Sequence, residues 1–91
     1  MSPKLTREYL SDGSYIEGGI HETEPDRWRK HGVRYRLVWV QKLRARVIFD
    51  NHHGKSDHFH IDGEEFPYQF ESIDQVLADF RAAIRKLGGP T

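Results

Sequence analysis

Residues 33–41, VRYRLVWVQ, constrain the fold more than any other stretch. Val33, Tyr35, Leu37 and Trp39 recur with a period of two, which puts them on one face of an extended chain. A strand with one apolar face needs a sheet around it and a second layer over it. Arg34 and Arg36 begin the opposite face, and Val38 and Val40 finish it. The strand therefore reads as polar on one face at its start and buried on both faces near its end.

The flanking segments supply the sheet. Residues 45–53, ARVIFDNHH, read as the next strand, and the link at 42–44 is short enough for an antiparallel hairpin. Residues 57–61 return as another strand. Residues 66–70, FPYQF, read as a short extended piece that Pro67 places at an edge. Upstream, residues 4–9 read as a short strand. Ser11-Asp12-Gly13-Ser14 is a turn, with Asp-Gly a favoured hairpin pair. Residues 14–22, SYIEGGIHE, form a further strand in which Gly18 and Gly19 indicate a bulge or a close backbone approach. Residues 23–32, TEPDRWRKHG, are a polar loop.

The covering layer is a helix at about 73–87. Ile73, Val76, Leu77, Phe80, Ile84 and Leu87 form one apolar stripe at helical spacing. Ser72 is the expected N-cap, with Gln75 as its capping-box partner. Asp74 in the first turn and Arg81, Arg85 and Lys86 towards the end suit the helix dipole. Gly88 fits the left-handed position after the helix, and Pro90 prevents continuation. The expected fold is α+β. An antiparallel sheet of four to six strands, joined as a meander of hairpins, packs against one C-terminal helix in a single domain spanning 1–91.

Only 36% of the 91 residues are hydrophobic, so the core must be small and must lean on two Trp, four Tyr and five Phe. The lack of cysteine excludes disulfides and thiolate metal sites. No apolar run approaches the ~20 residues that span a bilayer, and residues 1–15 lack a secretory core. A cytoplasmic protein without membrane contact is expected. Lys+Arg and Asp+Glu balance at 14 each, without the basic excess of a dedicated nucleic-acid binder. Any contact with RNA must come from a local patch. Arg27, Arg29, Lys30, His31, Arg34 and Arg36, followed by Lys42, Arg44 and Arg46, supply the candidate.

The chemistry concentrates in FDNHHGKSDHFHID, residues 49–62, which holds four of the six histidines and three aspartates. Gly54-Lys55 suits a type II′ turn. Residue 53 then pairs with 56 and 51 with 58, and Asn51, His53, His58 and His60 share a face. A loop one residue longer pairs 52 with 58 and 50 with 60, and gathers Asp50, His52, His58 and His60 instead. Three readings follow. His58 and His60 at i, i+2 can bind zinc or a similar ion, with a third ligand from His52, His53 or Asp50. Alternatively, one imidazole takes a proton while another gives one, the pair that metal-independent RNA cleavage needs. Lys55, Arg34 and Arg36 would then stabilise phosphate charge. In the third reading the hairpin is structural, with Asp50, Asn51 and Asp57 fixing imidazoles and the turn. His21 and His31 stand apart and read as surface residues.

LSDGSYIE at 10–17, YRLVWV at 35–40, FDNHHGKSDHFHI at 49–61, PYQF at 67–70 and SIDQVLADF at 72–80 together resemble the TumE-type toxins of bacterial and archaeal toxin–antitoxin systems. The likeness runs over roughly residues 10–87. It implies a toxin paired with an antitoxin, often a helix-turn-helix DNA-binding protein, and a class of activity directed at RNA or translation. On the matching positions it implies Asp50, Asn51, His53, Gly54, Lys55, Asp57, His58 and His60 as the functional motif.

The leading expectation is a metal-independent endoribonuclease acting on RNA or the ribosome. His58 and His60 are its acid–base candidates, with His53 as alternate. Lys55 stabilises charge, Asp50 or Asp57 orients an imidazole, and Asn51, Gly54, Arg34 and Arg36 contact substrate. No metal and no cofactor is called for, and a homodimer is compatible with the chain. The alternatives are a non-catalytic binding or inhibitor module with a structural histidine-rich hairpin, and a histidine-based metal-binding domain.

Overall fold

The computed structural model describes residues 7–51 and 55–91. Among these residues six strands form one antiparallel sheet in sequential order: β1 (Glu8–Tyr9), β2 (Tyr15–Glu22), β3 (Val33–Gln41), β4 (Arg44–Asp50), β5 (His58–Ile61) and β6 (Glu64–Pro67). One helix, α1 (Ile73–Lys86), follows. This is the α+β architecture expected, with six strands against the four to six expected and each consecutive pair antiparallel.

Strand β3 has the predicted bounds and face. Val33, Tyr35, Leu37 and Trp39 are all buried. They join Ile16 and Ile20 from β2, Val47 and Phe49 from β4, and Val76, Phe80 and Ile84 from α1 in one core. Contrary to the expectation from Val38 and Val40, the opposite face is not buried at the strand's end. Both are only half-buried, because a single helix covers a single face. Phe49, Phe59 and Phe66 sit in register across β4, β5 and β6 and stack with centroids 4.9 and 5.1 Å apart. Phe80 meets Phe49 edge-on at 5.8 Å.

Local chemistry sets the ends of the elements. Ser72 Oγ accepts from the Gln75 amide at 3.0 Å, as an N-cap should. The capping box is not completed. The Gln75 side chain donates to Asp79 Oδ1 at 2.8 Å, and the other Asp79 oxygen accepts from the Tyr68 hydroxyl at 2.6 Å. At the other end Gly88 has φ 91° and donates to the Arg85 carbonyl, while Gly89 donates to Ile84. That bond pair is a Schellman close. Within β2, a Cβ on Gly18 would collide with the Arg36 carbonyl, so the expected close approach is real.

Two boundaries differ from expectation. The β3–β4 link is the pair Lys42-Leu43, both left-handed at φ 51° and 65°. Strand β6 begins at Glu64, before the 66–70 piece, because Asp62 and Gly63 make a left-handed turn after β5. Pro67 does lie on the edge strand. The described part of the 4–9 strand is Glu8–Tyr9.

The β4–β5 register matches neither expected pairing. Asp50 lies opposite His58 and Ile48 opposite His60. Asn51 keeps one backbone bond to β3, from its amide to the Tyr35 carbonyl at 3.3 Å, and adds two from its side chain. Its Oδ1 accepts from the Tyr35 amide at 3.0 Å, and its Nδ2 donates to the Val33 carbonyl at 2.7 Å. Oδ1 takes the place of the Asn51 carbonyl, which accepts from Arg29 instead, so the regular ladder of β4 ends at Asp50. The expected turn at Gly54-Lys55 falls partly outside the described residues.

Candidate functional site

Among the described residues α1 covers one face of the sheet and no helix covers the other, here called the open face. Ahead of the bulge between Trp39 and Val40, the even-numbered residues of β3 point there with Ile48 and Asp50 of β4 and the even-numbered residues of β5, since pairing puts Arg36 opposite Asp50 and Asp50 opposite His58. The face therefore gathers Arg34 and Arg36 from β3, Asp50 from β4, and His58 and His60 from β5. Strand β2 adds His21 opposite Arg34, and β6 adds Glu65 opposite His60.

His58 is only 6% exposed. Its Nδ1 lies 2.8 Å from the Ser56 carbonyl, which can only accept, so Nδ1 carries the hydrogen and Nε2 is the free nitrogen. The His60 ring stands edge-on to it at 5.1 Å. His60 Nε2 lies 3.8 Å from Glu65 Oε1, and Lys55 Nζ lies 3.2 Å from the same oxygen. The hydrogen bond from Lys55, with the nearby histidines, holds the Glu65 carboxyl below the usual carboxylate range. Lys55, His58 and Glu65 line a cleft of about 380 Å³.

Asp50 is paired and buried. Its Oδ2 accepts from Arg36 at 2.8 Å. Its Oδ1 is enclosed and has no hydrogen-bond partner among the described residues. Gly19, His21, Arg34, Arg36 and Asp50 border a second hollow of about 300 Å³.

The other motif residues go elsewhere. Asn51 is fully enclosed, and its amide also donates to Asp57 Oδ1 at 3.1 Å. Asp57 accepts from the Tyr35 hydroxyl at 2.7 Å and lies 3.0 Å from His31 Nε2. The imidazole that Asp57 holds is therefore His31. His31 is at the surface but not isolated, since its ring also stacks on Phe70 at 4.0 Å. Burial, and then the bond to Asp57, push the Tyr35 phenol well above its ordinary range. Arg29 belongs to the same frame. It is buried, donates to the Asn51 carbonyl at 2.8 Å and pairs with Asp26 at 2.9 Å. Arg46 is tied to Asp62 at 2.7 Å. Of the expected basic patch, Arg34 and Arg36 are the members on the open face. His53 and Gly54 lie outside the described residues.

Glu65 went unnoticed in the sequence. The signal was Asp62-Gly63, a hairpin pair that sets β6 against β5 and puts Glu65 across from His60. His31, Arg29 and Tyr35 lacked any such local signal.

A family model for the toxin TumE matches residues 5–87. The chain belongs to the TumE toxin family. Searches of curated proteins and of solved structures find no significant match. The match covers the whole sheet and α1, so the open face and the Asn51–Asp57 frame both lie inside the TumE region. Membership of a toxin family implies an antitoxin partner. Among the described residues no helix is long and apolar enough to cross a membrane.

The TumE motif thus divides by face. Asp50, His58 and His60, with Lys55 beside them, face the open side, while Asn51 and Asp57 brace the connection behind it. The Asp-Gly-Ser of the 10–17 motif is also structural. Asp12 accepts from the Ser14 amide at 2.9 Å, and Ser14 Oγ accepts from the buried Trp39 indole at 3.0 Å.

Proposed function

We propose that this TumE-family toxin cuts RNA by general acid–base catalysis that needs no metal. The observation that carries the reading is the histidine pair on the helix-free face, 5.1 Å apart, beside Lys55 and on the same face as Arg34 and Arg36.

His58, with Nδ1–H committed to Ser56, offers Nε2 as the base that takes the proton from a ribose 2′-hydroxyl. The 2′-oxygen attacks the adjacent phosphorus, and the bond to the 5′-oxygen breaks. His60 delivers a proton to that leaving oxygen, with Glu65 as the counter-charge of its protonated form. The products are a 2′,3′-cyclic phosphate and a 5′-hydroxyl. Lys55, Arg34 and Arg36 stabilise the charge that grows on the phosphate oxygens. Asp50 sets Arg36, and Asn51 and Asp57 act as positioning residues. Free RNA or RNA on the ribosome is the target, and a helix-turn-helix antitoxin is the expected partner.

A second reading, arrest by binding without cleavage, draws on the groove of about 500 Å³ beside α1, whose apolar lining includes Phe59, Phe66 and Leu87. Induced expression of the wild type and of His58→Asn/His60→Ala separates the two. Arrest by the wild type alone, with the variant folded, is the outcome expected. Arrest by both would transfer the toxicity to the binding reading.

A further inference from the structure

Glu65 gives the histidine pair a third donor. One nitrogen of each imidazole and one Glu65 carboxylate oxygen all lie within 4.8 Å of one another. We propose that His58, His60 and Glu65 form a binding site for a divalent first-row transition metal of the zinc class.

Two imidazoles and one carboxylate are a donor set that such ions accept, with a fourth position left to water. Tetrahedral zinc holds its ligand atoms roughly 3.4 Å apart, so the cluster must tighten by up to about 1.4 Å. Glu65 is exposed and His60 partly exposed, and torsions of these two side chains supply that movement. His58 is already prepared. Its Nδ1–H is fixed on the Ser56 carbonyl, the kind of outer contact that orients a ligating imidazole and presents Nε2. Lys55 must release Glu65, and an ion pair with both side chains about half exposed gives way at little cost. The β5–β6 ladder holds His60 and Glu65 in opposition whether or not an ion is bound.

Occupancy has a consequence that rests on the acid–base reading above. A bound ion takes the free nitrogens that proton transfer requires, so zinc switches cleavage off.

The test is a zinc titration of the full chain, tag removed and chelator-treated, in competition with a chromophoric chelator and without RNA. The site predicts one equivalent bound. It also predicts an affinity at least about tenfold weaker in Glu65→Gln and in His60→Ala, with both variants folded by circular dichroism. His21→Ala, on the same face but outside the cluster, should bind as the wild type does. No stoichiometric binding, or binding that both substitutions leave unchanged, overturns the site. Zinc bound at the site with cleavage unimpaired overturns the switching step. A protein that binds zinc here yet never cuts RNA overturns the acid–base reading and not the site.

Discussion

Arg36 reaches across the open face of the sheet to Asp50, with Nη1 and Oδ2 2.8 Å apart, while the second Asp50 oxygen lies buried without a partner among the described residues. The arginine is the more exposed member, so the pair matters mainly as the counter-charge of a buried carboxylate. Arg36→Ala should lower stability by about 1–2 kcal/mol in urea denaturation, the cost of leaving such a group unpaired. Arg36→Lys should recover part of that loss. An unchanged midpoint for Arg36→Ala would mean that water already satisfies Asp50.

Asn51 stands in for a strand residue, with three hydrogen bonds from one enclosed amide. Asn51→Ala would orphan the Tyr35 amide and the Val33 carbonyl. A loss of about 2–4 kcal/mol is expected, close to that of a core truncation. His60→Ala, at a partly exposed position, should cost less than about 1 kcal/mol. Denaturation of the two variants side by side tests whether scaffold and chemistry divide by face.

Phe80 is 1% exposed and lies edge-on to Phe49. Phe80→Ala should cost about 3–5 kcal/mol. In a chain with so small a core this should leave little folded protein at 37 °C, as read by thermal melting followed by circular dichroism. A stable Phe80→Ala variant would show that α1 is not what closes the core.

The Tyr35 phenol is held neutral by burial and by its bond to Asp57, with its folded pKa above the ordinary value. Its contribution is therefore fully present below about pH 10. It is lost as the pH rises above that, because the unfolded chain releases the proton first. Stability should fall by up to about 1.4 kcal/mol per pH unit from this residue. Tyr35→Phe should flatten the fall between pH 9.5 and 11, roughly the range in which an unfolded phenol ionises, when urea midpoints are compared. Parallel slopes for the two proteins would remove Tyr35 from the alkaline response.

Lys42 and Leu43 both adopt left-handed backbone, and Leu43 is 97% exposed. Asn-Gly suits such a turn far better. Lys42→Asn/Leu43→Gly should stabilise by about 1–2 kcal/mol, seen as a higher melting temperature with the sheet spectrum unchanged. A lower melting temperature would mean that the lysine and leucine side chains make contacts that outweigh the backbone strain.

The legible parts of this chain were those written in short-range chemistry. The period of two at 33–41 fixed β3 to the residue, because burial of one face leaves no other register for Val33, Tyr35, Leu37 and Trp39. The caps at Ser72 and Gly88 marked α1 to within one residue, because capping bonds join near neighbours. The β4–β5 register was not legible. It depends on Asn51 bonding to a strand sixteen residues away and on Asp57 being drawn to Tyr35. For the same reason the motif looked like one cluster and is two. Periodicity could not tell which of its carboxylates faces the histidines and which faces the Tyr35 hydroxyl. Glu65 was within reach through the Asp62-Gly63 turn. His31 and Arg29 were not, since a loop carries no period to read.

The central claim is that His58 and His60 cut RNA on the open face. Purified full-length protein, free of any tag, should be incubated with RNA in excess EDTA and the product ends determined. The account predicts cleavage to 2′,3′-cyclic phosphate and 5′-hydroxyl ends, with a rate at least about a hundredfold lower in folded His60→Ala. Cleavage that the substitution leaves intact, or a wild type that arrests growth yet leaves RNA whole, would contradict it.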